Sequence, residues 1–350
     1  MTSSRMSAFI ACLDEMAAHP QGLNGWSPLH RAVADVIRSG VSSFDNILMS
    51  LWETRPTITD AHAATLLLVS LHRLSFEHSH VRGLFVEGQT PAVLTAMLPA
   101  VVESLAADVG ALVGQRSNSF TGVRRFLVPQ LLIGQWAAHQ DIESVHFADL
   151  GTGLGLLPRQ LNARDVFDRF APDLEWEPHS LSYVPIPLAS RLGVDAPPLP
   201  TLEWVRACYG ASEYYRDDFE DLLWTLDQCR DSASECEFEA FDLLDHDGLT
   251  ALLRARRVNV ATCNFVLYQF DAPTRQAIVD SVLDGLDAPG LLLTMDLSGA
   301  LATPGAVVTA YQTGTRRPLH VADTSDAHLR GTVTCGSDLD ILISPRREPI

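Results

Sequence analysis

The stretch FADLGTGLGLLP, residues 147–158, places three glycines at alternate positions after an apolar run that ends in an acid. Gly151 permits a tight turn, and Gly153 and Gly155 allow a ligand or a packed helix to approach the backbone closely. Where such a turn opens a helix, its N–H groups and the helix dipole favour a carboxylate or a phosphate. The spacing separates the ligand classes. A dinucleotide fingerprint runs G-x-G-x-x-G, whereas Leu156 stands here where the last glycine belongs. A phosphate loop closes on Gly-Lys-Ser/Thr, and GLGLLPRQ does not. The other reading of the same residues is a structural strand-to-helix turn.

The elements that must position this loop change character along the chain. Before residue 140, PLHRAVADVIRSG, DAHAATLLLVSLHRLSFEH and AVLTAMLPAVVESLAADVGALVG repeat apolar residues at three- and four-residue steps, which predicts amphipathic helices. Thr59 and Asp60 are N-cap candidates for the second of these. From residue 145, short apolar runs (VHFADLG, LSYVPIPL, EFEAFDLL, VNVATCNFVL, GLLLTMDLSG) alternate with helical patterns. That alternation predicts a mostly parallel sheet. GAVVTAYQTG and LRGTVTCGSDLDILI predict antiparallel strands at its C-terminal edge. The expected organisation is a helical N-terminal domain or cap over 1–140 and an α/β domain over 141–350. A helical insertion is expected at 188–237, over the ligand edge of the sheet.

Composition excludes some partners. Apolar residues make up 47% of the 350 and charged residues 19%, as in a globular protein. The formal net charge of −18 repels phosphate-rich surfaces, so neither nucleic acid nor an anionic membrane is an expected partner. The N-terminus lacks the pattern of a signal peptide, and no apolar run is expected to reach the roughly 18 residues that span a bilayer. Cys12, Cys208, Cys229, Cys236, Cys263 and Cys335 show no ligand-like spacing, and a cytoplasmic location with reduced thiols is expected. His62, His72, Glu77, His78 and His80 lack the spacing of a metal site and are read as a polar helix end, so no metal is predicted.

With an acid two residues before the first glycine, Asp149-Leu150-Gly151-Thr152-Gly153-Leu154-Gly155 resembles the first motif of Rossmann-like (class I) S-adenosylmethionine-dependent methyltransferases. The resemblance covers roughly residues 115 to 340. It implies the methyltransferase fold, S-adenosylmethionine as cofactor, and contacts from Asp149, Gly151, Thr152, Gly153 and Gly155. It further implies Asp242 of FEAFDLLDHD on the adenine amine with Leu243 beside the ring, and Asn264 at the end of a later strand. QRSNSFTGVRRFLVPQLL would cover the methionine end, with Arg124 or Arg125 on its carboxylate. QRSNSFTGVRR and LEWVRACYGASEYYRDDFEDLL also look like an uncharacterised bacterial methyltransferase-like family. One departure concerns the second strand, which in the superfamily ends in an acid on the ribose hydroxyls. SLSYVPIPLAS offers Ser182, Tyr183, Pro185 and Pro187 and no carboxylate, so the ribose is expected to meet neutral groups.

The function these features imply is methyl transfer to a small organic acceptor, with room for a homodimer. Positioning supplies much of the acceleration in such an in-line displacement. A hydroxyl or amine acceptor also needs a proton acceptor, for which Tyr268, Asp296 and His320 are the candidates. Trp204, Arg206, Tyr209, Tyr214 and Tyr215 either line an acceptor pocket or pack a lid. For Asp242 the alternative is a helix N-cap. The alternative functions are a non-methylating lyase or cyclase and a nucleoside-binding regulatory protein, both favoured by the missing ribose acid.

Overall fold

The computed structural model describes residues 2–18, 26–40, 42–178, 181–210, 213–297 and 305–343. The chain begins with helices α1 (Thr2–Ala18), α2 (Ser27–Arg38), α3 (Ser42–Thr54), α4 (Asp60–Ser75), α5 (Ser79–Arg82) and α6 (Pro91–Gln115). There follow α7 (Leu127–His139), β1 (Val145–Leu150), α8 (Leu156–Gln160), α9 (Arg164–Phe170), β2 (Leu174–Glu177) and β3 (Leu188–Asp195). Next come α10 (Leu202–Cys208), α11 (Glu213–Gln228), β4 (Cys236–Ala240), α12 (His246–Ala255), β5 (Val260–Asn264) and α13 (Ala272–Gly285). The described chain closes with β6 (Leu291–Leu297), β7 (Ala306–Gln312), β8 (Leu319–Thr324), β9 (Gly331–Cys335) and α14 (Leu339–Ile343).

Two compact units result. The first comprises residues 1–120, 200–220 and 269–271, and the second 121–199, 221–268 and 272–350. The first unit is helical. Thr59 accepts from the His62 N–H and so caps α4, and Thr90 does the same for α6 ahead of Pro91. Its core joins Leu29, Val33, Phe44, Leu48, Leu66, Leu67 and Val102 with Trp204, Ala207 and Cys208 of α10. The expected insertion at 188–237 therefore does not exist as one element. Residues 188–195 are a strand, α10 belongs to the helical core, and α11 begins in the first unit and ends in the second. The boundary also falls near residue 120, which places α7 with the sheet.

Helix α6 corrects the expectation about apolar length. Its 25 residues, with a mean hydropathy of 1.6 over the richest window, are long and apolar enough to cross a membrane. Pro99 lies inside it, and Leu105 leaves helical geometry (φ −123°, ψ 17°), so two helical segments meet at a kink.

The second unit is built on a nine-stranded sheet in the order β2-β9-β8-β7-β6-β5-β1-β3-β4. From β4 to β6 all neighbours are parallel, and β7, β8 and β9 extend the sheet as an antiparallel meander. This is a Rossmann-like, mostly parallel α/β architecture with an antiparallel extension through β7, β8 and β9, and β2, parallel to β9, forms the edge beyond it. β1 is flanked by β3 and β5, with Leu150 level with Val194 on one side and Cys263 on the other. The central strands therefore stop together, and the turns that follow them share one edge.

Three imidazoles are buried in the helical unit. Burial lowers His30 to about 4, His62 to about 3 with Arg55 adding to the effect, and His72 to about 4. For His72 the Ala207 carbonyl at 2.8 Å opposes part of that shift. Neither ring nitrogen of His30 has a hydrogen-bond partner among the described residues. A folded pKa below the unfolded value near 6.5 gives stability that is complete above 6.5 and is lost as pH falls towards 4. We expect the melting temperature to drop steeply from pH 7 to pH 5. His30→Leu should reduce that drop while costing under about 1 kcal/mol at pH 7.5, since an apolar group replaces an imidazole without partners. Thermal melts of both proteins at the two pH values check this, and an unchanged acid drop in the variant would refute it.

Candidate functional site

The turn after β1 is held from one side. The N–H groups of Gly151 and Thr152 both donate to the Val194 carbonyl, at 2.8 and 2.9 Å. The Gly153 N–H donates to the Asp195 carboxylate at 2.5 Å, and the Gly155 N–H closes on the Thr152 carbonyl at 2.9 Å. These four N–H groups of the turn are therefore occupied within the protein. Gly151, Gly153 and Gly155 take φ of +77°, +59° and +68°, where side chains are strained. A Cβ on Gly151 would lie 2.1 Å from Val266 Cγ2, and one on Gly155 would lie 1.9 Å from the Phe238 ring. Gly153 is more open, facing only the Thr121 hydroxyl at 3.0 Å. Thr121 thus lies by the open side of the turn, and Gln160 anchors the residues after it by donating to the Val123 carbonyl at 2.7 Å.

Asp149 sits beneath this turn, buried at 4% exposure, and accepts from the Thr262 hydroxyl of β5 at 2.7 Å. Burial pushes its carboxyl up to about 7, opposed by that hydrogen bond and reinforced by the nearby Asp195. Thr152 is also buried, and its methyl packs where a Cβ on Gly193 would stand.

The strand beside β1 ends in an acid. The second strand of the parallel set is LASRLGVD, residues 188–195, and it ends in Asp195 beside the glycine turn. Residues 181–187 precede it without strand structure. The reason is local: Pro185 and Pro187 have no N–H to give a ladder, so pairing with β1 starts only at Leu188. The sequence alone ends this strand within 180–190, whereas it runs from Leu188 to Asp195. Asp195 accepts from Gly153 and, at 2.8 Å, from the Ala196 N–H. Burial raises its pKa against those two hydrogen bonds.

The other expected residues divide into those on this edge and those elsewhere. Asp242 is exposed two residues past β4 and accepts from the Leu244 N–H at 3.0 Å, with Leu243 buried beside it. The helix cap is Asp245, whose carboxylate accepts from Gly248, so Asp242 is not the cap of α12. Asn264 ends β5, and both polar atoms of its amide are buried without a hydrogen-bond partner among the described residues. Phe265 follows with a φ of +56°, an unusual value for an aromatic residue and one found at functional turns. Asp296, near the end of β6, accepts from the Tyr268 N–H at 3.3 Å. Burial pushes its carboxyl up to about 7, opposed by that N–H, Arg275 and Arg125.

Arg124 does not serve as expected. Its buried guanidinium donates to Asp173 at 2.7 Å and Asp221 at 3.0 Å and lies over the Phe170 ring. Arg125, next to it, lies 3.8 Å over the Phe265 ring at the β5 terminus. His320 lies on β8, three strands from β5, with its ring against Asp323 at 2.8 Å, so it is not brought to the glycine turn. Trp204, Tyr209 and Tyr215 are packing residues of the helical unit, with Phe120 stacked on Tyr209 at 4.3 Å. Arg206 lies over the Phe76 ring, and the Tyr214 side chain lies outside the described residues.

No protein-family model matches the chain, and no curated protein matches it. Among solved structures it is similar to an O-methyltransferase family protein from Burkholderia thailandensis. There the identity is 15%, 49% of this chain and 37% of that chain are covered, and the TM-score is 0.27. It is also similar to a candidate O-methyltransferase from Nostoc punctiforme PCC 73102, with 15% identity, 67% and 53% coverage and a TM-score of 0.29. A third is PigF with SAH, with 14% identity, 70% and 78% coverage and a TM-score of 0.25. The chain spans about half or less of the first two proteins. At these values the likenesses say nothing of what this chain does.

Substitution of Gly151 tests the geometry of the turn. Gly151→Ala should cost about 1–3 kcal/mol of folding stability, from a strained φ and the clash with Val266. Urea unfolding measures it. A cost within 0.5 kcal/mol, on the scale of a surface change, would mean that the turn has another conformation.

Proposed function

We propose that the second unit binds S-adenosylmethionine at the carboxyl edge of its parallel strands and transfers the methyl group to a small organic acceptor. The observation that carries this reading is the Asp195 carboxylate, which ends β3 and holds the Gly153 N–H of the turn after β1. An acid at this point of a Rossmann-like sheet suits a ribose diol, because a charged acceptor strengthens both hydroxyl hydrogen bonds. The ground for a non-methylating or purely regulatory role was the absence of that acid.

The residues present fit the cofactor. The open side of Gly153, and the Asn264 amide that has no hydrogen-bond partner among the described residues, are a cradle and an orphaned buried group on one edge. Asp195 would hold the ribose, and Asp242 and Leu243 the adenine. Asn264 and the turn would face the methionine portion, with Arg125 in the role first given to Arg124. The cofactor, when bound, supplies a methyl group activated by a sulfonium charge. The chain's own contribution is orientation, and a carboxyl near neutrality at Asp296 to receive a proton.

Calorimetric titration with S-adenosylhomocysteine tests the reading. We expect a dissociation constant of about 10 μM or tighter, and a weakening of about tenfold, roughly 1.4 kcal/mol, in Asp195→Asn. That variant keeps a carbonyl oxygen for Gly153, so the turn should survive. Asp242→Asn should weaken binding by a similar factor without lowering the melting temperature. Absence of binding to the unmodified protein would overturn the proposal.

A further inference from the structure

A pocket of about 340 Å³ opens beside β6 in the second unit. Its sheet wall comes from one face of two antiparallel strands, because alternate residues share a face. Thr294 and Asp296 stand on β6, level with Thr309 and Val307 on β7, and Tyr311 follows two residues on. Helix α13 contributes Arg275. Asp296 follows Met295, which is level with Asn264 on the neighbouring strand β5. Asn264 and Asp296 therefore stand on opposite faces of the sheet, but Asp296 accepts from the Tyr268 N–H in the segment that leaves β5, so the pocket adjoins the carboxyl end of that strand.

We propose that this pocket binds the acceptor, and that the acceptor is a small, single-ring phenol or enol whose hydroxyl proton passes to Asp296. The proposal rests on the methyltransferase reading for the purpose of binding, and on the pocket alone for its chemistry. Size sets one limit. The pocket opens to solvent, and its volume of about 340 Å³ admits at least a substituted ring, since a cavity of about 150 Å³ holds benzene. The walls set the next. Hydroxyls of Thr294, Thr309 and Tyr311 suit an oxygenated ring better than a hydrocarbon. Charge sets the third. Among the described residues the pocket carries one cation, Arg275, and one acid, Asp296, so an ammonium or a phosphate gains from one of them and loses to the other. A neutral acidic hydroxyl meets neither objection.

The proton step balances within the site. The acceptor's O–H bond breaks, an O–H bond forms on the Asp296 carboxylate, and the negative charge moves to the acceptor oxygen, where Arg275 offsets it. No oxidant or reductant takes part. The Asp296 carboxyl lies near 7, so it can take a proton and return it to water around neutrality.

The probe is 4-hydroxyacetophenone at pH 7.5, where the free compound is mainly the phenol and the Asp296 carboxyl is mainly charged. With the unmodified protein we expect saturable binding by calorimetry and a growing phenolate absorbance band as the probe binds. Asp296→Asn should remove that band and weaken binding about tenfold. Val307→Phe, which fills the pocket from β7, should weaken binding at least tenfold, with circular dichroism confirming that both variants fold. No saturable binding to the unmodified protein, or binding and absorbance unchanged in the two variants, would overturn the assignment. S-adenosylhomocysteine titrated into the same unmodified sample separates the two readings. Its binding without that of the phenol sinks the pocket alone, and the reverse sinks the cofactor reading alone.

Discussion

A carboxylate at the end of β3 faces an amide in the turn after β1 because the two strands run parallel and stop at the same level. That hydrogen bond, from the Gly153 N–H to Asp195, is the constraint around which the edge is arranged. With Gly151 and Thr152 also bound to the Val194 carbonyl, the turn has little freedom, and its glycines are held at positive φ. On the other side Thr262 of β5 donates to Asp149 of β1. Three adjacent strands are thereby tied by side chains as well as by their ladders, within a buried region where each such bond is strong.

The same burial explains the electrostatics. Asp149, Asp195 and Asp296 all have raised pKa values, and in each case the loss of water is the largest cause. The hydrogen bonds they accept recover only part of that cost. Asp149 and Asp296, each near 7, are poised between charged and neutral forms, which suits groups that exchange protons. Surface acids elsewhere, which set the net charge of −18, have no such environment. Arg124 illustrates the opposite outcome. Two carboxylates and an aromatic face take up its guanidinium, which ties the approach to α7 to Asp173 and Asp221.

Taken across the sheet, the edge reads Asp242, Asp195, the glycine turn, Asn264 and Asp296, in the order of β4, β3, β1, β5 and β6. The row is not consecutive in sequence. It exists because β1 lies between strands that follow it in the chain, so residues 149, 195 and 264 become neighbours. The helical unit needs no such arrangement, since its core is assembled largely from helices close in sequence, with α10 as the long-range addition.

Much of this was legible in the residues. The glycine spacing and its preceding acid marked the turn, the alternation after residue 145 marked the parallel sheet, and Thr59 marked the start of α4. These are local signals, set by backbone sterics, periodicity and capping, and they do not depend on partners. Asp195 was hidden because its strand is flanked by prolines on both sides and reads as a loop; only pairing with β1 makes it extended. The role of Arg124 was equally out of reach, because Asp173 and Asp221 lie 49 and 97 residues away in the chain. The sequence by itself determined the elements and the loop. Tertiary structure alone decided which carboxylate faces the turn and which arginine is already engaged, because both follow from strand order and distant contacts.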